Sequence, residues 1–384
     1  VAIALIFVFS IKPCFEIGYD GVNVVRLWLA MQSPIEQIKP IKKLLDHYYA
    51  SLIQAITVYG YAPEFLNKPK EKPFSQTRAL SQTRSIFFLL CYHRLFGVKD
   101  AKKAAYLLYQ KLKNDYYHHG AKDWCKYPND APMDDLYEYA FLLFSFSHLY
   151  NDYKEKVILD DITEIAELIK AKYLEVDFIS LKDEKGVICQ NAMMHLFEAY
   201  LSAYEYTKES HYKLHAEQLL ANIIRRFYDE EKLLIKEYDS TCENALYEPG
   251  HSFEWCSLIL DAKRLGLNTN IELEHNKTLT IDEKSIVQSA EHLGVLENGL
   301  VKPEIQSGSN DTYRIWPILE QIRYYALAKD AHKKDAAAAV FIKNYIENNN
   351  PVEYVNYQGI SDFDKVKSTT GYHLINTFQH FFRG

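Results

Sequence analysis

The chain has 384 residues, a net charge of −7 and 48% hydrophobic residues. This is enough for one large domain or two ordinary ones with a sizeable core, and the acidic balance argues against a nucleic-acid partner. Six scattered cysteines (Cys14, Cys91, Cys125, Cys189, Cys242 and Cys256) form no Cys-x-x-Cys pair. Neither a zinc framework nor a disulfide scaffold is expected, and free thiols in a reducing cytoplasm fit the pattern. No apolar run reaches the roughly 18 residues of a membrane span, so no membrane partner is expected.

Residues 1–10, VAIALIFVFS, are apolar, but no basic residue precedes them, Lys12 follows, and Met31 stands just before a helix start at Ser33-Pro34. A secretion signal would have the opposite charge order. Residues 1–30 are therefore expected to be a non-native or disordered extension, and residues 31–384 a single domain.

From residue 33 the pattern is helix after helix. Apolar periodicity predicts twelve, over 34–59, 79–97, 99–115, 133–151, 160–174, 190–207, 209–228, 251–265, 281–293, 314–328, 331–347 and 371–383. Phe178–Cys189 and Tyr228–Tyr238 alternate or carry turn residues and read as short hairpins. Helices near 99, 160, 209 and 331 are rich in Lys, Glu and Asp, as solvated outer helices are. Those near 79, 133, 190, 251, 314 and 371 are apolar or aromatic on most sides, as buried helices are.

Each helix of the second kind opens on a polar or aromatic cluster. In order these contain Arg78, Gln82 and Arg84; Asp135 and Tyr137; Asn191, His195 and Glu198; His251, Glu254 and Trp255; Arg314, Trp316 and Glu320; and Tyr372 and His373. The clusters recur roughly every 50 to 63 residues, a weak repeat of two helices per unit. Six such units close into a ring, an (α/α)6 barrel with six inner and six outer helices. An open solenoid has shorter periods. The ring gathers all six inner-helix N-termini at one mouth, where their dipoles favour an electron-rich ligand. Apolar helices tolerate His, Arg and Glu at their starts when those groups find partners, and a shared pocket supplies them.

Within Glu248–Trp255, EPGHSFEW, Pro249 suits a helix entry and Gly250 permits a tight turn. His251 and Glu254, three apart, share a helix face, which predicts an imidazole–carboxylate acid/base pair. His118-His119 follow a Lys-rich helix and read as solvated loop histidines, and Arg78 reads as a capping or solvent-facing group. No HExxH occurs, so no metal is expected. Cys256 reads as an inert thiol beside the mouth.

The segments QTRSIF, DLYEYAF, MMHLFEAYLSAYE, EPGHSFEWCSLIL, RIWPILE and GYHL, in this order, resemble the N-acylglucosamine 2-epimerase superfamily over roughly residues 35–383, in particular its bacterial branch of mannose isomerases and sulfoquinovose (aldose–ketose) isomerases. The resemblance implies an (α/α)6 barrel and a catalytic set of Arg84, His195, His251, Glu254 and His373. Met193 stands where many relatives, cellobiose 2-epimerases among them, have a further histidine. The glycine-rich phosphate loop is absent, so no nucleotide or other cofactor is expected. Ala62-Pro63-Glu64-Phe65 replaces a Gly-Gly-Phe segment, which alters the expected substrate rim.

The chemistry these residues suit is proton transfer between C1 and C2 of an opened aldose through a cis-enediol. His373 is the expected base on carbon. His251, oriented by Glu254, is the expected ring-opening acid. Arg84 and His195 would hold hydroxyls and stabilise the enediolate. Trp316, Tyr137 and Trp255 would face the sugar, with Asn191 and Glu320 as polar contacts. The partner is then a small-molecule sugar, met by a monomer or homodimer. Mannose, sulfoquinovose, another aldose and an N-acylated hexosamine all fit, and a 2-epimerase would use the same enediol. A glycoside hydrolase of this fold would need two opposed carboxyl groups from among Asp135, Glu198, Glu254 and Glu320.

Overall fold

The structure is a computed structural model and describes residues 34–175, 177–178, 181–182, 186–239, 245–272, 278–306 and 311–382. The extension expected over residues 1–30 lies outside these. Twelve α-helices run through the described residues in chain order: α1 Pro34–Tyr59, α2 Ala79–Phe96, α3 Lys99–Asp115, α4 Leu136–Tyr153, α5 Lys156–Ile169, α6 Asn191–Thr207, α7 Ser210–Phe227, α8 Pro249–Arg264, α9 Glu283–Gly294, α10 Ile315–Leu327, α11 Ala331–Tyr345 and α12 Thr370–Phe382. Each even-numbered helix packs on the next, and α12 returns to α2, so the inner ring closes. Odd-numbered helices lie outside it. This is the (α/α)6 barrel expected from the repeat.

The division follows from burial. In α2 every residue from Ala79 to Tyr92 is buried, and in α4 so is every residue from Glu138 to Leu149. Outer α3 buries a single stripe of Ala101, Ala104, Ala105, Leu108, Tyr109 and Leu112. Its remaining positions carry the lysines, as a one-faced helix requires.

The inner helices are capped largely by their neighbours. Asp135 accepts a hydrogen bond from Tyr137 N at 3.1 Å and so stays outside α4 as its N-cap. This is why α4 starts at 136 and not at 133. Glu138 of α4 reaches back to accept from Leu80 N of α2 at 2.7 Å, and Glu64 accepts from Arg78 N at 2.8 Å. The ring is fastened at its ends by Tyr48 of α1, whose hydroxyl donates to Ser368 O at 2.7 Å and accepts from Gly371 N at 3.0 Å. A Cβ on Gly371 would lie 2.6 Å from that tyrosine ring, so α12 can approach here only without a side chain.

Helix α5 starts earlier than the periodicity suggests and continues to Leu174 as one π-helical turn, Lys170–Leu174. The hairpin expected over 228–238 forms, pairing Tyr228–Asp229 with Leu234–Ile235. The one expected over 178–189 is reduced, among the described residues, to the bridges Lys182–Ile188 and Cys189–Tyr238. Four further two- or three-residue strand pairs occur. They are too short for alternation to reveal in sequence. His118 and His119 lie exposed at one of them, Tyr117–His118 against Asp123–Trp124. No described helix is long and apolar enough to cross a membrane.

Gly250 lies inside α8, and its role is different from the turn expected of it. A Cβ there would sit 2.5 Å from the Trp316 ring. Gly250→Ala should therefore destabilise the fold by roughly 1–3 kcal/mol through overpacking, read as a lowered midpoint of thermal unfolding.

Candidate active site

A cavity of about 140 Å³ opens among the N-terminal turns of all six inner helices. Its wall includes Arg84 of α2, Tyr137 of α4, Asn191 and His195 of α6, Glu248, His251 and Glu254 at the start of α8, Arg314 and Trp316 at the start of α10, and Thr370 and His373 of α12. Glu353 and Lys367, from the segment between α11 and α12, complete it. The five residues expected to be catalytic thus meet in one pocket, with Trp316, Tyr137 and Asn191 beside them.

Each histidine turns Nδ1 away from the cavity onto a buried carboxylate. His373 Nδ1 lies 2.7 Å from Glu320 Oε1, His251 Nδ1 2.9 Å from Glu237 Oε1, and His195 Nδ1 3.4 Å from Glu198 Oε2. A proton on Nδ1 satisfies each carboxylate and leaves Nε2 for the cavity, a tautomer assigned from these partners. The Trp316 ring stands 4.8 Å from His251 and 6.0 Å from His373, tilted 32° to each. One indole therefore backs both imidazoles.

Three sequence assignments change. Glu254 does not orient His251. Helical side chains lean toward the N-terminus, so His251 leaves the first turn toward Glu237 and Glu248, 2.9 and 3.7 Å away. Glu254 instead faces His195 at 4.0 Å and the Tyr372 hydroxyl at 3.5 Å. Trp255 is fully buried and outside the cavity. Its Nε1 donates to Gln190 Oε1 at 2.7 Å, and the Gln190 amide donates to both oxygens of Glu237. Glu320 is likewise wholly buried, behind His373. Trp255 and Glu320 support the histidines from behind and do not reach a substrate. Cys256 is also buried away from the mouth, its thiol directed at Glu283 O.

The charge states differ sharply between the histidines. Burial opposes protonation of His251, but Glu237 and then Glu248 and Glu254 overcome it, raising its pKa to about 9. Burial lowers His195 to about 4 in spite of Glu198. His373 lies well below its ordinary value through burial, then Arg84, with Arg323 and Arg314 also lowering it. Burial pushes Glu254 well up, with Glu320 and Glu198 adding to it. Glu198 is held down to about 2 against its burial by His195 and Arg323.

Arg84 donates to the Tyr137 hydroxyl at 2.7 Å, and its guanidinium lies 4.2 Å from the Phe141 ring centre and 4.7 Å from that of Tyr372. Its buried Nε and the Asn191 Oδ1 have no partner. Unsatisfied polar atoms at a cavity wall are costly unless a ligand or water meets them. Arg78 is engaged elsewhere, in a two-point pair with Glu64, and Asp135 is a helix cap. Glu237, Glu353 and Lys367 are absent from the sequence-derived set. Glu237 and Lys367 stand in short non-helical segments with no motif, and Glu353 is signalled at most by an acidic residue between valine and tyrosine.

Among the described residues three groups place ligand-type atoms within 4.8 Å of one another: His195–Glu198–Glu254, Glu237–Glu248–His251 and Glu254–Glu320–His373. In each the imidazole nitrogen nearest the carboxylates is Nδ1, the one engaged by its glutamate. The donor sets are thus organised as hydrogen-bonded pairs.

The N-acylglucosamine 2-epimerase (GlcNAc 2-epimerase) family profile matches residues 60–350, and the chain belongs to this family. A cellobiose 2-epimerase from Dictyoglomus turgidum (strain DSM 6724 / Z-1310) is 27% identical over 201 residues, 47% of this chain and 50% of that protein. The chain thus aligns with about half the length of this curated relative. The cellobiose 2-epimerase structure from Bacillus thermoamylovorans B4167 superposes with a TM-score of 0.69 at 17% identity, covering 88% of this chain and 98% of that one. A D-mannose isomerase structure gives 0.70 at 14% identity, covering 88% and 96%. At such identities the structural likeness establishes the fold.

In a histidine NMR titration His251 should remain protonated to about pH 9. Glu237→Gln removes the nearest anion and should lower that midpoint toward the ordinary value, whereas Glu254→Gln should move it less.

Proposed function

We propose that the protein is a sugar isomerase that interconverts an aldose and a ketose, of the mannose/fructose type, through a cis-enediol. The observation carrying this reading is the placement of His251 and His373 beside one indole, each with Nδ1 on a buried glutamate, in a cavity that also holds Arg84. Family membership supports the same chemistry. A cationic His251 can protonate the ring oxygen as the anomeric hydroxyl loses its proton, opening the pyranose. By taking up that hydroxyl proton it becomes cationic again and can pass protons between O2 and O1. Neutral His373, with Nε2 free, can then take the proton from C2 and return it to C1. Arg84, at the positive ends of the inner helices, stabilises the enediolate. Neutral His195 accepts from a substrate hydroxyl, and Asn191 and Tyr137 offer further contacts. No redox cofactor enters this sequence of steps.

A 2-epimerase acting on an N-acylated hexosamine would pass through an enol whose C2 carries the acylated nitrogen, and would need a second group to protonate C2 from the opposite face. A glycosidase is supported less. Asp135 caps α4, while Glu198 and Glu320 lie behind histidines. The small cavity, rimmed by Lys367 and Glu353, suits a monosaccharide. The reading extends to a cytoplasmic monomer or homodimer, in keeping with the free thiols of Cys125, Cys189 and Cys256.

Incubation with mannose, glucose, fructose, N-acetylmannosamine and cellobiose in deuterated water, followed by NMR, tests this directly. Ketose formation from an aldose is expected, with deuterium entering carbon. A C2-epimeric aldose as sole product would replace the isomerase with an epimerase. His373→Ala and His251→Ala should each lower kcat by roughly 10²- to 10⁴-fold. Activity should survive exhaustive chelation, and loss restored by zinc or manganese would overturn the scheme. The rate should fall as pH rises through about 9, where His251 loses its proton. It should persist below pH 6.5, because His373 resists protonation.

A further inference from the structure

Two of the cavity histidines are built alike. Each holds Nδ1 within 3 Å of a buried glutamate, 2.7 Å for His373–Glu320 and 2.9 Å for His251–Glu237. Each is buried, and each stands beside the same indole. A carboxylate at that distance ordinarily stabilises the imidazolium, so the local geometry alone would make both histidines acids. The difference lies one residue further out.

Glu237 is backed by a neutral group. The Gln190 amide donates to its two oxygens at 3.3 and 3.2 Å, and the Gln190 backbone N donates to Glu237 O at 3.0 Å. Among the described residues His251 is the ion-pair partner of Glu237, with no arginine or lysine beside it. Glu320 is backed by a cation. Arg323, one turn along α10, places NH1 3.3 Å from Glu320 Oε2. The same guanidinium sits 3.4 Å from Glu198 and 3.6 Å from Asp261. Arg323 is buried, lies behind the histidines, and lines a second cavity among the C-terminal halves of the inner helices. It does not line the cavity that holds Arg84, His251 and His373.

We propose that Arg323 is the positioning residue that makes His373 the base: by holding the charge of Glu320 from behind, it withholds from His373 the anion that Glu237 gives in full to His251. The inference rests on the isomerase reading for the word base, and on the different groups bonded behind the two glutamates for the asymmetry. The groups facing His373 from every element packed on it are Glu320 and Arg323 of α10, Arg314 before it, Arg84 of α2, His195 and Glu198 of α6, Glu254 of α8 and Tyr372 beside it. Arg84 and Arg323 are the buried cations of this set. Arg84 acts on His373 directly, whereas Arg323 is the cation bonded to the histidine's own carboxylate. Facing His251 are Glu237, Glu248 and Glu254.

The test reads the histidines without substrate. The full chain carrying 13Cε1-histidine is titrated by NMR, with His251 and His373 signals assigned by loss in His251→Asn and His373→Asn. In the unsubstituted protein His373 should be neutral throughout the range in which His251 is still protonated. A His373 midpoint at or above the ordinary histidine value would overturn the proposal with no variant needed. In Arg323→Gln the Glu320–His373 pair should take up its proton at a pH higher by at least roughly one unit, as removal of a close cation predicts. The acid limb of the pH dependence of kcat/KM should move by the same amount. Arg323→Lys, which keeps the charge, should restore both. An unmoved titration in folded Arg323→Gln, or a lysine variant that behaves like the glutamine one, would sink the idea. Because the titration needs no turnover, it separates failure of this inference from failure of the isomerase reading.

Discussion

The constraint on which the molecule depends is that charges buried on the barrel axis must be compensated there. Glu198, Glu254, Glu320 and Arg323 are each less than 5% exposed, and an uncompensated buried charge costs several kcal/mol. Arg323 answers Glu198, Glu320 and Asp261, contributed by three different inner helices. Tyr372 and Asn376 of α12 add donors to Glu198. Satisfying all of these at once fixes the rotation of α6, α8, α10 and α12 about their axes. That rotation aims His195, Glu254, Trp316 and His373 at one point.

The other end of the same helices contributes the field. An inner helix has no room for a long capping loop, so caps are lent across the ring, as Glu138 lends its carboxylate to Leu80 N and Glu64 to Arg78 N. The remaining orphan N–H groups and the summed dipoles leave the mouth positive. Arg84, held over aromatic faces and bonded to a hydroxyl, keeps its charge available in the cavity. Anion stabilisation is thus distributed over the architecture and concentrated by one side chain.

A closed helical ring supports different reactions, and here the charge states of equivalent-looking groups distinguish them. Three imidazoles on three glutamates differ in their second neighbours: a neutral amide behind Glu237, a guanidinium behind Glu320, and a guanidinium with a tyrosine hydroxyl behind Glu198. Catalysis of proton movement needs one acid and one base at the same pH. On the proposed reading the barrel obtains both from one residue type.

The sequence by itself determined the helix count, the division into inner and outer helices, and the ring, because buried and half-buried helices differ in how many sides are apolar. It also marked Arg84, His195, His251, Glu254 and His373, since polar groups on otherwise apolar helices need a shared environment. The tertiary structure decided which carboxylate serves which histidine. His251 and Glu254 are neighbours by spacing, yet a ring in a first helical turn leans out toward whatever the preceding chain brings near, and Glu237 is brought by a two-residue hairpin that leaves no periodic trace. Trp255 and Glu320 look like pocket residues in sequence because type and position along a helix are visible there, while the angle around the helix axis relative to five other helices is not. Glu353 and Lys367 reach the cavity from a non-helical segment, where neither periodicity nor spacing specifies direction. Pairing and charge state depend on distances between residues far apart in the chain, and those distances exist only once the ring has closed.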